Sequence, residues 1–68
     1  MHLLLEIERE ADGRWLAEIA SLSGVLAYGA SREEAIARTE ALALRVIADR
    51  LEQGESGPDL ESVSFRAA

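Results

Sequence analysis

The sequence predicts an α+β domain of order β-β-β-α-β, a small sheet with one long helix packed on one face. Three observations predict it: short segments in which apolar and polar residues alternate, one helix whose start and stop are both signalled, and turn residues between them. At 68 residues the chain reads as a single domain, 1–68. A chain this short buries only about 60% of the surface its unfolded form exposes, so its core alone gives marginal stability. It contains no Cys, which removes disulfides, thiolate metal sites and thiol nucleophiles together. Association with other chains is the expected supplement.

From Leu3 to Arg9, the residues Leu3, Leu5 and Ile7 fall on one face and Glu6 and Glu8 on the other, the period of a half-buried strand. Leu4 breaks this alternation. Asp12-Gly13 is a tight-turn signal, and Trp15, Ala17 and Ile19 then alternate against Arg14 and Glu18, so the first two strands form an antiparallel hairpin. Ser21 to Gly24 is a second turn, followed by Val25, Leu26, Ala27 and Tyr28 as a third strand that Gly29 closes.

The helix runs from Ser31 to about Gln53. Ser31 is an N-cap whose hydroxyl accepts from the third helical N–H, and Glu34 at that position can reach back to the N–H of Ser31. No Gly or Pro interrupts a run of good helix formers until Gly54, the left-handed stop. At 100° per residue, Ala35, Thr39, Leu42, Ala43, Val46 and Ile47, with Ile36 at the margin, form one arc that should meet the sheet. A second apolar row, Ala37, Ala41, Leu44, Ala48 and Leu51, has the a/d rhythm of a helix–helix seam and is the expected homo-oligomer contact. Glu34, Arg38, Arg45, Asp49 and Glu52 form a solvated face, with Glu34–Arg38 and Arg45–Asp49 one turn apart and able to pair. Glu55 to Asp59 is a connector of turn formers, and Val63 and Phe65 alternate with Ser62, Ser64 and Arg66 in a last strand. A fourth strand beside the first could run parallel to it, because the helix supplies the crossover; the order of the strands is not fixed by the sequence.

The net charge of −6 and a pI near 4.6 oppose a phosphate-binding surface and suit a basic protein partner. Every basic residue is Arg, so P-loop and Schiff-base lysines are absent. Neither a signal peptide nor a membrane-length apolar run is found, and a cytoplasmic location is expected. No cofactor or metal site is expected. Glu6 and Glu8 share a strand face with Glu18 across the hairpin, but on the side away from the apolar residues, where carboxylates are solvated rather than gathered around metals. His2 has no second histidine to share an ion. Gly24 and Gly29 read as turn positions needing unusual backbone angles. Trp15 and Tyr28 are large side chains suited to a partner surface together with Glu6, Glu8 and Glu18, and Trp15 suits the core equally.

The run Ile19-Ala20-Ser21-Leu22-Ser23-Gly24-Val25, followed by Tyr28-Gly29-Ala30-Ser31-Arg32-Glu33-Glu34-Ala35, resembles the HicB-like antitoxin family. That family carries a Pro-x-Leu-Pro-Gly-Cys turn and then Gly-x-Thr/Ser-x-x-Glu-Ala at the start of its single helix. Leu22, Gly24, Gly29, Ser31, Glu34 and Ala35 match, as do the Asp12-Gly13 hairpin and the helix exit Leu51 to Glu55, so the resemblance spans nearly the whole chain. Ala20 and Ser23 stand where the family often has prolines and Val25 where it often has Cys, which marks a divergent member. The resemblance implies a truncated ribonuclease H-like fold without a nuclease centre, and non-catalytic neutralisation of a small basic mRNA-cleaving toxin by direct binding. With no ribbon-helix-helix or helix-turn-helix module in the sequence, operator binding by this chain is not expected. The alternatives are a stand-alone oligomeric scaffold of the same fold and, last, a small metal-dependent nuclease.

Overall fold

The computed structural model describes residues 1–55 and 61–68. Most of the proposed connector, 56–59, lies outside the described residues. The elements are β1 (His2–Arg9), β2 (Trp15–Glu18), β3 (Leu26–Gly29), α1 (Arg32–Glu52) and β4 (Ser64–Ala67). They form an α+β layer pair, one mixed sheet of order β3-β2-β1-β4 with the helix across one face. β1–β2 and β2–β3 are antiparallel, and β4 runs parallel to β1, with Leu3 opposite Phe65 and Leu5 opposite Ala67. The helical crossover makes that parallel pair possible. Outside the ladder, the backbone N–H of Ser64 reaches the Met1 carbonyl at 2.9 Å and that of Ala68 reaches the Leu5 carbonyl at 3.0 Å, which ties the C-terminal strand to β1 along its length.

The alternation in β1 and β2 sorts their residues as the pattern requires. Leu3, Leu5, Ala17 and Ile19 are buried beneath the helix, and Leu22 and Val25 from the turn before β3 close that end of the core. From α1 come Ala35, Thr39, Ala43 and Ile47, with Ile36, Leu42 and Val46 packed at the edges, which is the arc given by the 100° projection. Small residues at the centre of that arc let the helix sit close to the sheet. Close approach has one polar requirement: Thr39 is fully buried, and its hydroxyl donates to the Ala17 carbonyl at 3.0 Å. A buried hydroxyl without a partner would cost about 1–3 kcal/mol.

The helix ends show which cap chemistry operates. Ser31 Oγ accepts from the Glu34 N–H at 3.1 Å, as the spacing predicts. The return bond differs, since Glu34 Oε1 accepts from the N–H of Ala30 at 3.0 Å rather than from Ser31. At the other end the N–H of Gly54 reaches the Leu51 carbonyl and that of Glu55 reaches the Arg50 carbonyl, a Schellman closure with Gly54 at φ +81. Of the two glycines read as unusual-angle positions, Gly24 has φ +79 and Gly29 does not. Gly29 is required for space instead: a Cβ there would stand 2.4 Å from the Ala35 backbone nitrogen, where β3 runs into the helix start.

Candidate protein-binding face

Among the described residues no helix covers the second face of the sheet. The positions between the buried ones place Leu4, Glu6 and Glu8 of β1, Leu16 and Glu18 of β2, and Leu26 and Tyr28 of β3 on it together. Their order across the strands follows from the register. Glu6, Glu18 and Leu26 make one row, and Glu8, Leu16 and Tyr28 the next. Leu4, Leu26 and Tyr28 retain 47%, 41% and 38% of their exposure, far more than single strand residues with a covered side. Large apolar side chains gathered on one face mark an interaction site more often than scattered ones do.

The charge of this face is unbalanced. Glu6 stands directly opposite Glu18, and like charges across a strand pair repel. Among the described residues no cation pairs with Glu6, Glu8 or Glu18. Two guanidiniums border this side: Arg14, held by Asp12 at 2.7 Å and lying over the Tyr28 ring at 4.3 Å, and Arg66 of β4, which stands opposite Leu4. The Arg14 backbone N–H and then its side chain hold the Asp12 carboxyl below its ordinary value, while Asp12 raises Arg14. Arg14 thus serves the hairpin turn. A shallow depression of about 240 Å³ between Glu6, Ile7, Glu8, Leu16 and Glu18 and another of about 470 Å³ along β1 and β4, lined by His2, Leu3, Leu4, Ser64 and Arg66, complete the relief. Such a surface fits apolar groups and cations from another macromolecule.

The structure brings together Tyr28, Glu6, Glu8 and Glu18, and separates Trp15 from them. Trp15 faces the helix side, opposite Gly29 and Arg9, half-buried against the core, with the Arg9 guanidinium 5.8 Å from its ring. Its alternation with Ala17 and Ile19 already places it there. Leu4, Leu16 and Leu26 belong to the face as well, and their signal in the sequence is the break in alternation at Leu4 and the leucines in the polar phase of β2 and β3. His2 Nδ1 is 2.7 Å from Ser64 Oγ, a contact between strands. Among the described residues no group of three or more His, Asp or Glu is placed to hold a metal ion.

On the opposite side of the molecule, Ala37, Ala41, Leu44, Ala48 and Leu51 are all exposed, Leu44 at 50% and Leu51 at 46%. Arg38 pairs with Glu34 at 3.4 Å and donates to the Tyr28 carbonyl at 3.2 Å. The Arg45–Asp49 pair does not form, and Asp49 accepts from Gln53 at 3.1 Å instead. No helix among the described residues is long and apolar enough to cross a membrane. The fold and its faces define a small α+β domain with two uncovered apolar surfaces. No protein-family model, curated protein or solved structure matches the chain.

Proposed function

We propose that the chain is a HicB-like antitoxin, or a protein derived from one, that acts in the cytoplasm by binding a small basic mRNA-cleaving toxin and has no catalytic role of its own. The observation that carries the reading is the uncovered sheet face, where Leu4, Leu16, Leu26 and Tyr28 surround carboxylates without cation partners. A basic partner relieves the Glu6–Glu18 repulsion and covers the leucines in one event. The residues of the resemblance also have physical work at one junction: Gly29 admits the helix start, and Ser31 and Glu34 cap it. A sheet of order β3-β2-β1-β4 with β4 parallel to β1 supports the truncated ribonuclease H-like arrangement that the resemblance implies.

The test is affinity purification of the tagged chain from its own host, followed by an RNA-cleavage assay of whatever co-purifies. The expected partner is a small basic protein that degrades mRNA alone, is silenced stoichiometrically by the chain, and is not retained by a Glu6→Arg, Glu18→Arg variant. Absence of such a protein overturns the antitoxin reading. The exposed helix row favours one alternative in that event, a stand-alone oligomeric scaffold of the same fold.

A further inference from the structure

The helix row that lies away from the sheet is bordered by charges whose arrangement selects a partner. With Ala41 and Ala48 at a and Ala37, Leu44 and Leu51 at d, the same heptad places Thr39 and Val46 at f, where both face the sheet, one fully buried and the other partly so. The seam therefore points to solvent. Its borders are Glu33 and Glu40 at g, and Arg38, Arg45 and Glu52 at e. The side chains of Glu40 and Arg45 make no hydrogen bond or ion pair among the described residues.

In a parallel helix pair, each g residue meets the e residue of the following heptad on the other strand, and these pairs set partner and orientation. Here that rule matches Glu40 with Arg45, twice over by symmetry, while Glu33 stands opposite an Arg38 that Glu34 and the Tyr28 carbonyl already engage. Ile47, the third g residue, is buried against the sheet and leaves Glu52 without a match across the seam. An antiparallel pair centred on Leu44 instead brings Arg45 against its own copy. Alanines at both a positions permit close approach of the axes, and Glu34, the preceding a residue, is held back by the Ala30 N–H and Arg38, which ends the seam at the helix start. We infer that the chain pairs with a second copy of itself through this row, parallel and in register, with Glu40 and Arg45 exchanged across a two-fold axis along the helices. The sheets then lie on the outside with their uncovered faces free, so the pair presents two of them. The inference is independent of what those faces bind.

Sedimentation velocity over a concentration series tests the pairing, with circular dichroism confirming that each variant folds. A Leu44→Glu, Leu51→Glu variant sediments as a monomer. Glu40→Arg and Arg45→Glu each weaken the pair about 10-fold, because two attractions become repulsions, and the double swap returns affinity to within about twofold. Because the chain has no Cys, orientation is read by single-cysteine oxidation: Ala37→Cys and Leu51→Cys each give a covalent homodimer on their own. A wild type that stays monomeric, a double swap that fails to recover, or cross-linking only when the two variants are mixed overturns the inference.

Discussion

The two faces of the sheet are built from the same strands and differ only in which alternate residues they receive. Leu5 is 1% exposed and Leu4, its neighbour in the chain, is 47% exposed. On the helix side the buried residues are apolar or small, and the hydroxyl of Thr39, the one buried among the described residues, is satisfied. On the other side leucines are mixed with carboxylates that oppose one another. One face is finished within the chain. The other acquires its complement only from outside, which is why the first should govern stability and the second binding.

Measuring paired substitutions by urea unfolding breaks or sharpens that contrast. Leu5→Ala should cost about 2–5 kcal/mol through lost burial and a cavity, while Leu4→Ala should stay within about 0.5 kcal/mol; equal losses would mean that the outer face is covered in the folded chain. Gly29→Ala should cost about 1–3 kcal/mol, because the methyl meets helix backbone rather than a flexible side chain. Its effect should appear as a looser helix start, seen in faster amide exchange at Glu34 and Ala35. Thr39→Val keeps the volume but removes the bond to the Ala17 carbonyl, and should cost about 1 kcal/mol.

On the outer face the sign reverses. Glu18→Gln should raise stability by a few tenths of a kcal/mol by ending the repulsion with Glu6, and should weaken a basic partner. The smallest effect belongs to Asp12 in the hairpin turn. Its folded-state carboxyl lies below the ordinary 3.8, so its contribution is complete above that value and is lost as pH falls through the lower folded one. An Asp12→Asn variant should therefore show a shallower loss of stability below about pH 4, measured by acid titration of the unfolding midpoint.

Much of this was legible in the sequence. The Ser31 cap, the Gly54 stop and the sheet-facing arc of α1 depend on residues within a few turns of one another, so local chemistry sufficed. The carboxylates Glu6, Glu8 and Glu18 were also placed on one face by period alone. Residue type left Trp15 divided equally between a partner surface and the core, and its phase with Ala17 and Ile19 carries it to the helix side, packed against the core. Gly29 shows a different limit. Its need for space arises from Ala35, brought back over the strand end by the turn into the helix, a contact that composition does not record.

By itself the sequence determined the elements, their buried sides and the heptad spacing of the exposed helix row, because these follow from periodicities of two and of 3.6 residues and from caps that act locally. The tertiary structure alone decided that β4 joins β1 in parallel, that Glu6 faces Glu18, and that Leu4, Leu16, Leu26 and Tyr28 meet on one uncovered surface. Those relations depend on strand order and register, which are fixed when distant segments share one sheet beneath one helix.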